Sequence, residues 1–269
     1  MSVKFGLIGG GVMGETLLSR LIAQKIYQPS EVLVSEPLLE RRNLLAQQYG
    51  VQVTADTQAV ASTAQVLLLA IKPQIFTAVA QTLQDVVVTL VAKPLVISIL
   101  AGVSLHQLET AFPHLPAIRA MPNTPATVGA GMTAIALGNH TNESHRTTAM
   151  QLFAAAGEVV EVPEVLMDAV TGLSGSGPAY VALMVEALAD GGVAAGLPRA
   201  IALQLALQTV RGTALLLQET GMHPAVLKDR VTSPGGTTIA GIAELERFGF
   251  RSALIQAVQA AAKRSQELS

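Results

Sequence analysis

A glycine-rich loop near the N-terminus constrains the fold of this chain more than any other feature of the sequence. Residues Gly9 to Gly14 read G-G-G-V-M-G and contain the spacing G-x-G-x-x-G. The loop follows an apolar run, Val3 to Ile8, and precedes Glu15 to Gln24, where apolar residues recur at helical spacing. A strand, a glycine loop and a helix in this order predict the first βαβ unit of a doubly wound sheet.

Each glycine of the loop has a distinct physical use in such a unit. Gly9 makes the tight turn, Gly11 lets a pyrophosphate approach the backbone, and Gly14 lets helix and strand pack closely. The helix N-terminus then faces the phosphates with free N–H groups. The loop therefore predicts a dinucleotide site, and the alternative is an incidental tight turn.

The first 160 residues alternate between strand-like and helix-like segments. Val66 to Ala70 and Leu95 to Ile99 are continuous apolar runs, typical of parallel strands covered on both faces. Gln74 to Leu90 predicts a crossover helix between them, and Leu38 to Tyr49 predicts a helix that ends at Gly50. Asp56 and Ser104 are placed to cap two further helices. Other strands are predicted at Val32–Val34, Val51–Val53, Ile118–Met121, Thr133–Ala136 and Val159–Val162.

Pro163 marks a change to a purely helical pattern. Tyr180 to Ala195 and Ala200 to Gln218 are apolar nearly all round, which predicts burial on every side. Shorter helices are predicted at 225–231, 238–247 and 252–266. We therefore expect an α/β fold in which a Rossmann-like dinucleotide-binding domain, residues 1–163, precedes an all-helical domain, residues 164–269.

Composition excludes several classes of function. The 17 basic and 19 acidic side chains give a net charge of −2, and aromatic residues make up 3%. Nothing here predicts binding to nucleic acid or to an anionic membrane. The N-terminus is apolar for too few residues to be a secretory signal. The most apolar stretch, Val86 to Ile99, is interrupted by Lys93-Pro94, so no membrane span is expected.

Two further features of composition predict where the protein works and how it assembles. The chain has no cysteine, which excludes disulfides and fits a reducing, cytoplasmic compartment. Charged residues are only 13%, against about 25% in a typical soluble protein. A chain with so few charges is expected to bury apolar surface between subunits, as a homo-oligomer.

Polar residues at the ends of the predicted strands are candidates for contacts with the dinucleotide. Glu36 lies 22 residues beyond Gly14, where an acid accepts hydrogen bonds from a ribose and repels a 2′-phosphate. Arg41 and Arg42 follow and could offset that repulsion, so the choice between NADH and NADPH stays open. The alternative for Glu36 is a solvated position in a loop. Lys72, at the end of another strand, is either a ligand contact or a surface lysine.

A second loop, residues 231–238, predicts a site of another kind. It reads V-T-S-P-G-G-T-T and leads into a helix, so two threonine hydroxyls lie beside free backbone N–H groups. An electropositive helix start of this kind suits a carboxylate. The alternative is an ordinary helix N-cap with flexible glycines.

The positions of lysine and histidine bear on the chemistry. The two long helices carry no lysine, and the five histidines form no acid–base or metal-ligand spacing, so no metal is expected. Reduction of a ketone needs a positioned proton donor, whereas a protonated imine already carries its charge. The sequence therefore favours reduction of a C=N bond over a C=O bond.

The chain resembles the pyrroline-5-carboxylate reductase family along essentially its whole length. The resemblance rests on D-A-V-T-G-L-S-G-S-G-P-A-Y at 168–180, A-D-G-G at 189–192 with G-L-P-R at 196–199, and the 231–238 loop. H-P at 223–224, L-K-D at 227–229, Glu246 and G-F-R at 249–251 add to it. It implies the last step of proline biosynthesis, in which NADPH or NADH reduces 1-pyrroline-5-carboxylate to L-proline.

The resemblance also implies roles for individual residues. The cofactor pyrophosphate would be held by Gly9, Gly10, Gly11, Val12 and Met13. The adenosine ribose would lie at Glu36 and Thr57, and the nicotinamide side would be lined by Ala70, Ile71, Lys72, Leu100 and Asn123. The substrate would bind Ser233, Gly235, Gly236, Thr237 and Thr238, with Thr238 closest to the reacting atoms.

The same resemblance implies a dimer of interlocked helical domains, with a decameric ring of dimers as a larger assembly. Two rival interpretations are a β-hydroxyacid dehydrogenase and a dinucleotide-binding sensor without chemistry. A β-hydroxyacid dehydrogenase has a catalytic lysine on its helical domain, and this chain has none at that place. A sensor would keep the glycine loop but would not need the 231–238 loop.

Overall fold

The sheet predicted for the N-terminal part of the chain is present. The structure is a computed structural model and describes residues 3–87 and 89–268. Its contacts divide the chain into two compact units: residues 1–175 with 261–269, and residues 176–260. The strands of the first unit are β1 Phe5–Ile8, β2 Val32–Ser35, β3 Gln52–Thr54, β4 Val66–Leu69, β5 Leu95–Ser98, β6 Ala117–Met121, β7 Gly131–Leu137 and β8 Gly157–Glu161.

The strands form one sheet in the order β3-β2-β1-β4-β5-β6-β7-β8. Strands β1 to β6 are parallel, β7 runs antiparallel to β6, and β8 runs parallel to β7. The chain leaves β1 on one side towards β2 and β3, and crosses to β4 on the other side. This arrangement confirms the predicted Rossmann-like doubly wound sheet.

Helices cover both faces of the sheet. Alternate residues of β4 belong to different core clusters: Leu68 packs on one face, and Leu67 and Leu69 pack on the other. Two-sided burial explains why the strand sequences are continuously apolar. The helices of this unit are α1 Val12–Ala23, α2 Leu39–Tyr49, α3 Thr57–Ala61, α4 Phe76–Val87, α5 Leu105–Ala111, α6 Glu143–Ala154 and α7 Met167–Val170.

Several helix ends follow the predicted capping chemistry. Gly50 ends α2 with φ +68°, the Asp56 side chain accepts from the Gln58 and Ala59 N–H groups, and Ser104 forms a capping box with Gln107. The crossover helix is shorter than the predicted Gln74 to Leu90, and residue 88 of that prediction lies outside the described residues.

The second unit is helical. Its helices are α8 Gly177–Ala194, α9 Arg199–Thr220, α10 Pro224–Arg230, α11 Thr237–Arg247 and α12 Phe250–Leu268, the last of which ends in the first unit. Within the described residues no strand follows Glu161, in agreement with the helical pattern of the sequence.

The division of contacts differs from the domain boundary predicted at residue 163. Residues 164–175 belong to the sheet unit. Glu164 Oε1 accepts from the Leu105 N–H at 2.6 Å and from Arg119 Nη1 at 3.2 Å. Asp168 Oδ1 accepts from Ser265 Oγ at 2.7 Å. These polar contacts span 45 to 97 residues, which is why no local pattern in the sequence reveals them.

The two long helices are not buried within one chain, contrary to the prediction from their apolar sequence. They share a small core of Val185, Ala189, Ala202 and Ala206, while Leu183 is 66% exposed and Leu207 is 52% exposed. An apolar groove of about 1080 Å³ runs along them. The second unit therefore exposes an apolar surface of the kind that marks an interaction site.

The expectation that no segment resembles a membrane span needs a correction. Helix α9 has 22 residues and is long and apolar enough to cross a membrane by length and composition alone. The expectation rested on the stretch Val86 to Ile99, which Lys93-Pro94 interrupts, and not on α9. Helices that bury their faces against protein meet the same criterion, so it does not by itself indicate a membrane.

Removing the Glu164 carboxylate is expected to destabilise the first unit. Arg119 is only 6% exposed, so Glu164→Ala leaves a buried guanidinium without its carboxylate partner. We expect a loss of about 1–3 kcal/mol in the free energy of unfolding, measured by denaturant titration. Glu161→Ala is the matched control, since its partner Arg146 is on the surface and such pairs contribute about 0–1 kcal/mol. Equal losses of unfolding free energy in the two variants would show that the Glu164–Arg119 pair contributes no more than a surface pair.

Candidate functional site

The candidate cofactor residues of the first unit gather at one edge of the sheet. They follow the six parallel strands β1 to β6, whose carboxyl ends lie side by side. The ladder continues into the loops, since the Gly9 N–H donates to Ser35 O at 2.9 Å and the Ala70 N–H donates to Ile8 O at 2.8 Å. The loops after β1 and β4 therefore meet where the strand order changes direction, the place where such sheets bind ligands.

The glycine loop has the geometry that a close ligand approach requires. Gly9 has φ +101°, and a Cβ on it would lie 2.7 Å from Ala70 O. A Cβ on Gly14 would lie 2.3 Å from Gly9 O, so α1 packs directly on the loop. The turn and packing roles predicted for these two glycines are confirmed. A Cβ on Gly11 would meet nothing within 4 Å, so the loop is open on the side of Gly11.

The N-terminus of α1 lies at this open side. Gly11 is its N-cap, and among the described residues no side chain accepts from the first N–H groups of the helix. Val12, the first helical residue, is largely exposed. An uncapped helix start beside an open glycine fits the pyrophosphate of a dinucleotide.

Glu36 is buried rather than solvated. Its side chain is 7% exposed and lies directly after β2. The Gly10 N–H donates to Oε2 at 2.9 Å, and the Leu38 N–H donates to Oε1 at 3.1 Å. The structure therefore excludes the solvated alternative and places the carboxylate against the glycine loop, while a ribose contact stays a prediction.

Arg41 contacts the same loop from helix α2. Its Nε donates to Gly10 O at 2.7 Å, and its Nη2 pairs with the carboxylate of Glu15. Tyr49 donates from its hydroxyl to Glu15 Oε1 at 2.9 Å. Burial, followed by the neighbouring Glu15 carboxylate, raises the pKa of Tyr49 to about 12. Sequence reasoning placed Arg41 near a 2′-phosphate and did not foresee its bond to Gly10, 31 residues away.

The other predicted cofactor residues differ in what their side chains do. Thr57 begins α3, with its hydroxyl 3.2 Å from Ser35 Oγ. Ala70 and Ile71 are half-buried, and Lys72 is exposed. Leu100 is 3% exposed and belongs to the core.

Asn123 links the loop after β6 to its surroundings. Its Nδ2 donates to Ser174 O at 3.0 Å, and its Oδ1 accepts from the Met132 N–H at 2.8 Å. Asn123 therefore joins the start of β7 to the turn at Ser174, while its contact with a nicotinamide stays a prediction. Ser174 lies in a π-helical turn, Thr171–Gly175.

The predicted substrate residues lie together in the second unit, at the start of α11. The chain turns at Ser233 with a bond from the Gly236 N–H to Ser233 O at 3.0 Å, and Gly235 has φ +66°. Gly236 is the N-cap, and no side chain within residues 3–87 and 89–268 caps the helix. The first N–H groups of α11 are therefore free to bind an anion.

The threonine hydroxyls occupy the first turn of α11. Thr237 is exposed and Thr238 is half-buried, and neither hydroxyl makes a hydrogen bond within the part of the chain that the structure describes. A hydroxyl capping role, the simplest alternative for Thr238, is absent because Gly236 occupies the N-cap. No group of three or more histidine, aspartate or glutamate side chains able to hold a metal ion occurs in residues 3–87 and 89–268.

Comparisons with known proteins agree with this geometry. Residues 164–268 match the family model for pyrroline-5-carboxylate reductase dimerisation, and residues 4–102 match the model for NADP oxidoreductase, coenzyme F420-dependent. A pyrroline-5-carboxylate reductase of Synechocystis sp. is 61% identical over 268 residues, covering 100% of this chain and 99% of that one.

Solved structures show the same likeness. The pyrroline-5-carboxylate reductase of Coxiella burnetii superposes with a TM-score of 0.92 at 35% identity, over 100% of this chain and 99% of that one. The pyrroline carboxylate reductase of Plasmodium falciparum with NADP bound gives 0.89 at 28% identity, over 99% and 98%. With an open glycine loop on its sheet and a dimerisation domain in its helical part, the chain belongs to the pyrroline-5-carboxylate reductase family.

Proposed function

We propose that this chain reduces 1-pyrroline-5-carboxylate to L-proline with NADPH or NADH. The observation that carries the proposal is the uncapped start of α11, where free N–H groups lie beside two threonine hydroxyls. This segment falls within the match to the family's dimerisation domain. The proposal includes a cytoplasmic location, which the absence of cysteine supports.

The chain's own residues bind and orient both reactants. Gly9 to Met13 hold the pyrophosphate through the loop and the start of α1, where the partial positive charge of the helix favours an anion. Residues that follow β2 to β6 orient the two halves of the dinucleotide. When bound, NAD(P)H supplies the hydride that the imine carbon accepts.

The 233–238 loop binds the substrate. The free N–H groups at the start of α11 take the carboxylate, with Ser233, Gly235, Gly236 and Thr237 shaping the turn. The Thr238 hydroxyl accepts a hydrogen bond from the protonated ring nitrogen. That nitrogen keeps its proton and becomes the amine of proline, so the step needs no further proton donor.

The functional assembly is a homodimer built on α8 and α9, and dimers gather into larger rings, a decamer among them. The support is the groove of about 1080 Å³ along these helices, lined by Val181, Leu183, Leu203 and Leu207. Burial of these exposed side chains against a second copy contributes about 25 cal/mol per Å² of apolar surface. Pairing of this kind accounts for the apolar surface of α9 without a membrane.

The proposed reaction is tested directly with the purified protein. We expect consumption of NADPH or NADH that depends on 1-pyrroline-5-carboxylate, with one proline formed for each reduced cofactor consumed. Absorbance of the reduced cofactor and amino-acid analysis measure the two quantities. Cofactor binding without proline formation would favour the sensor interpretation.

Replacing the Thr238 hydroxyl is expected to slow the reaction. Thr238→Val keeps the shape and removes a hydrogen bond to a charged group, worth about 1.5–3 kcal/mol. We expect kcat/KM for the imine to fall roughly tenfold to a hundredfold, measured by steady-state kinetics. Thr238→Ser keeps the hydroxyl and should lose much less. Cofactor affinity should barely change in either variant, and a Thr238→Val enzyme with the parent rate would leave the hydroxyl without a role.

A charge placed in the groove is expected to break the assembly. Leu207→Asp puts a carboxylate on a half-exposed apolar position, where pairing would desolvate it. We expect a smaller species by light scattering at micromolar concentration. Val91→Asp is the control, since Val91 is fully exposed in a loop before β5, and it should leave the assembly unchanged. A parent protein that is a stable monomer would contradict the proposed dimer.

A further inference from the structure

We propose that Glu36 and Arg41 form a clamp on Gly10 that positions the glycine loop for NADH and NADPH alike. The clamp consists of the Glu36 carboxylate on the Gly10 N–H and the Arg41 guanidinium on Gly10 O. This role differs from the ribose contact predicted for Glu36, which would act differently on the two cofactors. It rests on the cofactor placement proposed above.

The clamp fixes two successive peptide planes. The Gly10 N–H belongs to the peptide shared with Gly9, and Gly10 O belongs to the peptide shared with Gly11. Each peptide is planar and trans, so holding one atom orients the whole group. The Gly11 N–H is therefore directed away from Arg41, and the Gly11 carbonyl is held in turn by the Glu15 N–H at 2.8 Å.

Three consecutive glycines make such a clamp necessary. Gly9, Gly10 and Gly11 have no Cβ to restrict the backbone, so an unrestrained loop would lose much conformational entropy when a ligand orders it. A loop that is already held loses less, and ligand affinity rises accordingly. A Cβ on Gly10 would lie 2.6 Å from Leu45 Cδ1, so a less flexible residue there would displace the buried Leu45 side chain.

A second layer of contacts holds each half of the clamp. Glu36 is buried and also accepts from the Leu38 N–H. The Glu15 carboxylate pairs with Arg41 and accepts from the Tyr49 hydroxyl. The Tyr49 hydroxyl is protonated at neutral pH and donates to Glu15, and burial together with this contact raises its pKa to about 12.

Charge and position have opposite effects on affinity, which makes the clamp testable. The cofactor is a polyanion, so removal of a nearby carboxylate charge alone should tighten its binding. Loss of the clamp should weaken binding because the loop becomes mobile. The sign of the change in affinity therefore separates the two effects.

The experiment measures dissociation constants for NADH and NADPH by fluorescence titration of the purified protein. Glu36→Gln keeps the shape but can accept from only one of the two N–H groups. We expect both dissociation constants to rise about tenfold, the size expected for loss of a hydrogen bond to a charged group. Glu40→Gln is the charge-matched control, because Glu40 is exposed in the first turn of α2, and it should not weaken binding.

Arg41→Lys tests the other half of the clamp. It keeps the positive charge and loses the Nε donor to Gly10 O. Titration with NADH is decisive here because NADH has no 2′-phosphate that an arginine could bind. We expect weaker NADH binding. In the double variant, Glu36→Gln with Arg41→Lys, the dissociation constant should rise by less than the product of the two single effects, because both side chains act on Gly10.

Kinetics and stability separate positioning from a merely structural role. At saturating cofactor, kcat of Glu36→Gln should stay within about threefold of the parent while KM for both cofactors rises. Thermal unfolding should remain cooperative. If NADPH binds Glu36→Gln as tightly as the parent, or more tightly, the clamp is overturned and the ribose contact is favoured. Unchanged NADH affinity in Arg41→Lys would also overturn it.

A separate variant tests whether the cofactor lies on the glycine loop at all. Gly11→Val puts a side chain on the open side of the loop, where the pyrophosphate is proposed to lie. Unchanged cofactor affinity in this variant would overturn both the placement and the clamp. Weak binding by Gly11→Val with normal binding by Glu36→Gln would overturn the clamp alone.

Discussion

The candidate cofactor site depends on the close approach of backbone to backbone around Gly9. Helix α1 reaches the loop because Gly14 has no side chain, and the loop reaches the end of β4 because Gly9 has none. This contact sets the open edge at Gly11 and the direction of the helix start. A methyl group at Gly9 or Gly14 would meet a carbonyl oxygen at 2.7 Å or 2.3 Å and separate these elements.

The charged side chains around the glycine loop make their contacts within the protein. Glu36 and Arg41 both bond to Gly10, and Arg41 also pairs with Glu15. These charged groups therefore have partners within the protein before any dinucleotide binds. A buried carboxylate is unfavourable unless it makes hydrogen bonds within the protein, as Glu36 does. The same side chain can therefore serve the fold and the site together.

The helical unit buries only a small part of its apolar side chains within one chain. Small side chains such as Ala189 and Ala202 let α8 and α9 approach, but the larger ones remain exposed. The match of residues 164–268 to a dimerisation family agrees with this surface. An apolar pattern reports that a face will be buried, but it does not report whether the partner is the same chain or another copy.

Local chemistry in the sequence determined the parts of the structure that depend on neighbouring residues. The doubly wound sheet, the turn at Gly9, the helix end at Gly50 and the cap at Asp56 follow from strand runs, glycine geometry and capping side chains. Tertiary structure alone decided the reversed direction of β7, the inclusion of residues 164–175 in the sheet unit, and the partners of Glu36 and Arg41. These features join residues that are far apart in the chain, and no local propensity or spacing encodes which distant atoms will meet.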